Sequence, residues 1–207
     1  MNYFVKGHFY KISINKNLVT ARSILTITNN KLEEEKYSSY DLLVVMMNPG
    51  GSEPKTKTDW FSKPTQNIDC LVDAIPDDTQ LQIMKVMDRT GFQNAIILNL
   101  SDICETTSSK FAKDINELEY LNIGTKHSIF SNLRNEDLSI ILNSFSGNTV
   151  ILASGVNYKL RFLTKQMLDK IKYPNIVSIQ HENGQFYHPL PRVGQEEWVS
   201  EIVKKLS

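Results

Sequence analysis

The chain has few of the features that mark secreted, membrane or metal-binding proteins. Only two of its 207 residues are cysteine, and Cys70 and Cys104 match neither a disulfide framework nor a metal-ligand spacing. No apolar run approaches the roughly 20 residues that a transmembrane helix needs, and no signal pattern opens the chain. We therefore expect a cytoplasmic protein with no membrane partner.

An excess of charge is also missing. The 23 basic and 23 acidic residues cancel to a formal net charge of zero, and the hydrophobic content of 41% is ordinary for a globular protein. This balance argues against a strongly basic nucleic-acid binder, but it is compatible with a local basic groove on a neutral body.

Several familiar chemical sites are missing as well. The chain has no Gly-rich phosphate loop, no nucleotide fingerprint of three spaced glycines and no Gly-x-Ser-x-Gly nucleophile turn. Its four histidines lack the pairing that metal sites show. They are His8, His127, His181 and His188. We therefore expect neither a metal nor a cofactor.

What the chain does contain is an apolar run that ends abruptly in Asn48-Pro49-Gly50-Gly51. Such a run, bounded by turn-forming residues, predicts a buried strand of a parallel sheet. Pro49 fixes its own φ, and the two glycines permit close approach of the backbone. Asn48 is then expected at the carboxyl end of a strand, where open α/β sheets bind ligands. A plain Pro-Gly turn is the simpler interpretation.

Strand and helix patterns alternate along the rest of the chain. Strands are predicted at residues 40–47, 95–100, 149–153 and 175–180, and helices at 65–74, 78–89, 110–121, 135–145, 158–171 and 195–206. We predict an α/β protein with a three-layer αβα fold, a central, mostly parallel sheet of about four strands and an N-terminal antiparallel hairpin. One domain of residues 1–207 is expected, with 1–39 as the N-terminal strands and connector and 40–207 as the core.

Polar residues lie at the carboxyl ends of three of the predicted strands. These are Asn48, Asn99 and Ser154, and a His188-Pro-Leu-Pro-Arg192 segment comes late in the chain. We expect them to converge on one crevice. Amides and a histidine suit a planar, hydrogen-bonding ligand such as a nucleobase, because Asn carries both a donor and an acceptor.

Four short motifs stand in an order that resembles a known family. They are Met47 to Gly50, Ile96 to Asn99, Val150 to Gly155 and His188 to Arg192. Together they resemble the uracil-DNA glycosylase superfamily, most closely its single-strand-selective monofunctional and mismatch-specific branches. The chain is also similar to a small bacterial family of uncharacterised function with a Leu-Asn-Pro-Ser-type first motif.

The resemblance implies a role for each motif. Asn48 would orient a water against the anomeric carbon, less strongly than an Asp does, because an amide cannot accept the proton outright. His188 would donate to the exocyclic oxygen of the departing base. Asn99 would bond the base edge, and Arg192 would fill the base stack after flipping.

Further residues near these motifs become candidates through the same resemblance. Trp60, Phe61 and Met47 would contact the flipped base, and Lys55, Lys57, Lys63 and Ser154 would contact DNA phosphates. The aromatic rings and the lysines have plainer interpretations: the rings would cover the sheet edge, and the lysines would belong to a solvated loop.

The motifs also depart from the family pattern. Met46 stands where these glycosylases usually have Gly, and Leu190 replaces a small Ser. Our hypothesis is a monofunctional DNA glycosylase-like enzyme acting on a uracil-like or modified base, with DNA or a nucleotide as its partner. Two alternatives stay open: a non-catalytic nucleotide- or nucleic-acid-binding module, and a hydrolase of free nucleosides or nucleotides. A basic groove along Lys55, Lys63, Lys159 and Arg192 would favour a polymer.

Overall fold

The computed structural model of the chain describes residues 3–14, 17–29, 39–56, 61, 70–120 and 127–207. Within these residues lie eight strands: β1 (Tyr3–Ile14), β2 (Asn17–Asn29), β3 (Tyr40–Met46), β4 (Glu53–Pro54), β5 (Val72–Ile75), β6 (Asn94–Asn99), β7 (Phe145–Ala153) and β8 (Asn175–Ser178). The α-helices there are α1 (Asp78–Thr90), α2 (Ser108–Tyr120), α3 (Asn135–Asn143), α4 (Arg161–Lys170) and α5 (Gln195–Leu206). Short 3₁₀ turns at Asn132–Arg134 and Tyr158–Leu160 lead into α3 and α4.

The described strands form one sheet in the order β4-β5-β1-β2-β6-β3-β7-β8. Strands β6, β3, β7 and β8 run parallel to one another. The pairs β4–β5, β5–β1, β1–β2 and β2–β6 are antiparallel. The sheet is therefore mixed, with a parallel half and an antiparallel half that meet between β2 and β6.

The prediction of a central, mostly parallel sheet of about four strands is wrong. The sheet has eight strands, and four of its seven neighbouring pairs are antiparallel. The two N-terminal strands do pair antiparallel as expected, but β2 also pairs with β6 from Leu25 opposite Ile97 to Thr28 opposite Asn94. The hairpin is therefore part of the main sheet. Strands β4 and β5, with two and four residues, are too short to give a periodic signal.

Helices cover both faces of the sheet. Leu43 and Val45 of β3 point into a core shared with α2, α3 and α4. Leu42 and Val44 point into a second core shared with α1 and α5. Because side chains alternate along a strand, a strand buried on both faces needs a continuous apolar run, which β3 has.

Helix boundaries follow local capping chemistry. Asp77 caps α1 by accepting hydrogen bonds from the N–H groups of Thr79 and Gln80, and the side chain of Gln80 accepts from the N–H of Asp77. Gly91 ends the helix with φ of 85°. The predicted helix at 195–206 is confirmed with the same bounds. Residues 72–74 of the predicted helix at 65–74 lie in β5 instead.

The carboxyl ends of β3, β6 and β7 meet at one edge of the sheet, called here the carboxyl edge. The N–H of Leu100 donates to the carbonyl of Met46 over 2.9 Å, so β6 and β3 stay joined there. The first residues of β2 lie at the same edge, because β2 runs antiparallel to β6 and Ala21 bridges to Ile103. The hairpin therefore forms a side wall of this edge. Within the described part of the chain, no helix has the length and apolarity to cross a membrane.

Candidate active site

A cleft of about 790 Å³ opens at the carboxyl edge. Five segments line it, and each follows a strand or begins a helix. The lining residues are Met47, Asn48, Gly50, Gly51, Asp77, Asp78, Thr79, Glu105, Thr106, Ser108, Gly155, Val156, Asn157, His188, Leu190, Pro191 and Arg192. Asn48, Met47, His188 and Arg192 are thus brought together, although His188 lies 140 residues after Asn48.

Asn48 is held in one orientation by backbone carbonyls. Its Nδ2 donates to the carbonyl of Glu105 over 2.6 Å and to that of Ile103 over 3.3 Å. Both amide protons are therefore committed to the protein, and Oδ1 is the polar atom left for the cleft. An amide oriented in this way can accept a hydrogen bond from a water or a ligand, but it cannot donate one.

The turn after Asn48 packs tightly against the start of α1. Gly50 has φ of 63°, a left-handed conformation, and a Cβ built there would lie 2.6 Å from Oδ2 of Asp77. The N–H of Gly51 donates to the same oxygen over 3.2 Å. Only glycine allows this approach, so Gly50 fixes the position of Asn48 relative to α1.

His188 has its tautomer fixed by the segment that follows it. The N–H of Leu190 donates to Nδ1 of His188 over 3.2 Å, so Nδ1 is an acceptor and the proton of the neutral ring is on Nε2. Burial lowers the pKa of His188, while the charge of Asp77 opposes that shift. The ring is therefore neutral at pH 7 and offers Nε2–H as a donor.

Asp77 was not among the residues singled out from the sequence. It lines the cleft, caps α1 and accepts from the turn that follows Asn48. The pattern Asp77-x-x-Gln80 is a capping-box signature, and it marks Asp77 rather than Asp78 as the residue that caps α1. That signal was present in the sequence.

Asn99 and Ser154 lie outside the lining of the cleft. Asn99 is fully buried, and neither its amide oxygen nor its amide nitrogen has a hydrogen-bond partner among the described residues. Ser154 is also buried, and its hydroxyl has no partner there. Met46 lies between them in the sheet, opposite Asn99 on one side and Ala153 on the other, and its side chain is fully buried.

Phe61 and Lys55, two further candidates, lie outside the lining of the cleft. The ring of Phe61 stacks on His8 with centroids 4.4 Å apart, and its backbone pairs with β1. Lys55 is exposed and lies 3.8 Å from Asp73. Trp60, Lys57 and Lys63 lie outside the described residues.

The described lining of the cleft carries more acidic than basic side chains. Asp77, Asp78 and Glu105 line the cleft, against Arg192 as the cation among the lining residues. Glu105 is partly neutralised by an ion pair with Lys110. The described surface around the cleft is therefore not the basic groove that would favour a polymer.

A buried ion pair supports the loop that holds Asn48. Oδ2 of Asp102 accepts from Nη1 of Arg134 over 2.6 Å and from the hydroxyl of Tyr10 over 2.9 Å, and all three residues are buried. Burial raises the pKa of Asp102, and Arg134 opposes this shift. Residues 103 and 105, whose carbonyls hold Asn48, follow Asp102 directly.

One arrangement nearby looks like a nucleophile, base and acid. Nδ1 of His127 lies 3.0 Å from the hydroxyl of Ser101, and its Nε2 lies 2.8 Å from Oε1 of Glu119. Ser101 and His127 are both fully buried. A substrate has no access to this hydroxyl, so we assign the group to the support of the loop after β6.

Comparison with protein-family models, curated proteins and solved structures finds no match to this chain. The function must therefore be argued from the cleft itself. Among the described residues, no group of three His, Cys, Asp or Glu side chains is placed to hold a metal ion.

Proposed function

We propose that this protein hydrolyses an N-glycosidic bond between a sugar and a nucleobase, as DNA glycosylases do. The observation that carries the proposal is the pairing of an oriented acceptor with an oriented donor in one cleft. Asn48 offers Oδ1 because its Nδ2 is held by two carbonyls, and His188 offers Nε2–H because its Nδ1 accepts from Leu190.

The proposed reaction needs no group beyond water. Oδ1 of Asn48 accepts a hydrogen bond from a water and directs its oxygen at the anomeric carbon. The bond from that carbon to the base nitrogen breaks, and its electron pair leaves with the base. Nε2–H of His188 donates to an exocyclic oxygen of the base and stabilises the developing negative charge. The proton lost by the water ends on the base or in solvent, since an amide cannot hold it.

The other predicted site residues differ in how well their positions support a role in the proposed reaction. Met47 and Arg192 line the cleft, so they can contact a base and the strand beside it. Asn99 has an unsatisfied donor and acceptor, as a residue that reads a base edge needs, but a base reaches it only if Met46 or the cleft floor moves. Phe61, Lys55 and Ser154 would contact base or DNA from outside the present lining.

A second candidate is a hydrolase of free nucleosides or nucleotides. The acidic lining favours it, because Asp77, Asp78 and Glu105 would repel the successive phosphates of a nucleic-acid strand. Developing positive charge on the sugar during bond cleavage is compatible with the same carboxylates. A cytoplasmic location, where both kinds of substrate occur, completes the proposal.

The test is release of free base from a panel of substrates. Purified protein would be incubated with nucleosides, 5′-mononucleotides and single- and double-stranded oligonucleotides that carry uracil, other deaminated bases or modified pyrimidines. Chromatography would measure the free base. Release from any of them supports the proposal and identifies the substrate form. Binding without release of base from any of them supports a non-catalytic binding module instead.

A further inference from the structure

Arg22 is the least satisfied charged group among the described residues. It lies in β2, its side chain is fully buried, and neither Nε, Nη1 nor Nη2 has a hydrogen-bond partner there. Its backbone is well placed, since the N–H donates to the carbonyl of Asp102 over 2.7 Å. The unsatisfied part is therefore the guanidinium alone. A guanidinium does not lose its proton in proteins, so burial does not neutralise it.

The neighbouring groups do not pair with Arg22. The acidic groups that act on its charge are Cys104, Asp77 and Asp102. Asp77 accepts from three backbone N–H groups, and Asp102 forms its ion pair with Arg134. Burial raises the pKa of Cys104 to about 11, so the thiol is neutral at pH 7. A buried cation with no partner among the described residues is costly, and a bound anion would supply that partner.

The position of Arg22 places that partner next to the cleft. Arg22 lies opposite Phe9 across the β1–β2 pair, so both side chains leave the sheet on the face that α1 covers. A hollow of about 310 Å³ lies beside this point. Its lining includes Thr20 and Cys104, and it shares Gly50, Gly51, Glu105 and Thr106 with the cleft. The hollow and the cleft are thus two sides of the same turn.

We propose that Arg22 binds the phosphate monoester of a mononucleotide whose sugar and base occupy the cleft. This inference rests on the proposed function and names its substrate class. The phosphate enters by the hollow, between Thr20 and Cys104, and contact requires the side chain of Arg22 to turn toward the hollow, because Arg22 is not part of its present lining. A planar guanidinium bonds two phosphate oxygens at once. A phosphodiester strand is disfavoured, because its next phosphates would face the carboxylates of the cleft.

The direct test uses the unmodified protein. The ¹⁵N-labelled chain would be titrated with inorganic phosphate, a nucleoside 5′-monophosphate, the matching nucleoside and an oligonucleotide without a terminal phosphate. The Nε–Hε signal of Arg22 reports contact at the guanidinium. We expect it to shift with phosphate and with the nucleotide, and not with the nucleoside. An unchanged signal with every ligand overturns the proposal. A shift with the oligonucleotide alone also overturns it, because Arg22 would then bind a phosphodiester and not a phosphate monoester.

The second test uses Arg22→Gln with Arg89→Gln as the matched control. Arg89 is at the other end of α1, in an ion pair with Glu196. Hydrogen bonds to charged groups are strong enough that we expect the affinity for the nucleotide to fall about 10- to 100-fold in Arg22→Gln and to stay unchanged in Arg89→Gln. Equal nucleotide affinity in Arg22→Gln and wild type overturns the proposal. If Arg22→Gln does not fold, the titration of the wild type decides alone.

The two proposals can fail separately. Nucleotide binding at Arg22 without release of any base would contradict the hydrolase and leave the phosphate site in place. Release of base from nucleosides and nucleotides at equal efficiency, with no shift of the Arg22 signal, would support the hydrolase and contradict the phosphate site.

Discussion

Oδ2 of Asp77 accepts a hydrogen bond from the N–H of Gly51 over 3.2 Å, and this contact ties the first turn of α1 to the turn that follows Asn48. The same carboxylate lies close enough to Gly50 that a side chain there would collide with it. Asn48 is therefore positioned by two elements at once: the carbonyls after β6 hold its amide, and α1 holds its turn. The direction in which Oδ1 of Asn48 points depends on both.

Substitution of Gly50 tests this packing. Gly50→Ala would add a Cβ at φ of 63°, only 2.6 Å from Oδ2 of Asp77. Gly184→Ala is the matched control, because Gly184 also has a positive φ of 82° but nothing within 4 Å of the new Cβ. We expect Gly184→Ala to lower the free energy of unfolding by about 1 kcal/mol, from backbone strain alone. Gly50→Ala should cost at least about 1 kcal/mol more. Equal losses by urea denaturation would show that the turn yields without cost.

The buried Asp102–Arg134 pair gives a second expectation. Asp102→Ala would remove a buried carboxylate partner from the buried guanidinium of Arg134, so we expect a loss of about 3 kcal/mol or more. Lys205→Ala removes one partner of the exposed pair with Glu201 and should cost less than about 1 kcal/mol. Chemical denaturation of both variants measures the difference. Similar small losses would mean that the buried pair does not support the loop after β6.

The free energy of unfolding should decrease as the pH is lowered, because of His8. Burial lowers the pKa of His8 from 6.5 to about 4, and the ring lies against Phe61 and the hydroxyl of Ser23. A histidine whose pKa is lower in the folded state contributes stability that is present above pH 6.5 and is lost as the pH falls toward 4. We expect His8 to account for about 3 kcal/mol of that loss. His8→Gln should therefore flatten the stability curve between pH 6.5 and 4. An unchanged curve would mean that other titratable groups cause the loss of stability at low pH.

The acidic lining leads to an expectation about salt. Arg192 is the cation among the described lining residues. If it makes the one phosphate contact there, the logarithm of the binding constant for a single-stranded oligonucleotide should fall with the logarithm of salt concentration with a slope of about −0.7. Fluorescence anisotropy at several salt concentrations measures the slope. A slope steeper than about −3 would require four or more phosphate contacts and would favour a nucleic-acid polymer.

The sequence predicted the positions of individual strands and helices better than it predicted which strands pair in the sheet. The continuous apolar run of β3 and the period of α5 are local patterns, so Tyr40–Met46 and Gln195–Leu206 were recognised. The pairing of β2 with β6 joins residues about seventy positions apart, and no local pattern states that Leu25 faces Ile97. The central sheet was therefore predicted without its antiparallel half.

In the candidate site, too, local patterns predicted some features and long-range packing determined the others. Asn48 and His188 line one cleft because both follow elements that end at the carboxyl edge, which strand-end reasoning anticipates. The burial of Asn99 depends on the packing of Met46 beside it, and the isolation of Arg22 depends on which acids other groups have already engaged. These are properties of packing in three dimensions, and residue spacing does not encode them.

The most direct test of the account is single-turnover cleavage in ¹⁸O-labelled water, with the best substrate from the panel. Mass spectrometry would follow the released base and the sugar product for wild type, Asn48→Ala and His188→Ala. We expect one ¹⁸O atom at the anomeric carbon of the sugar, none in the base, and rates about 10²- to 10⁴-fold lower in each variant. Base release at the wild-type rate by Asn48→Ala, or by His188→Ala, would contradict the account, because these two side chains would then not perform the reaction.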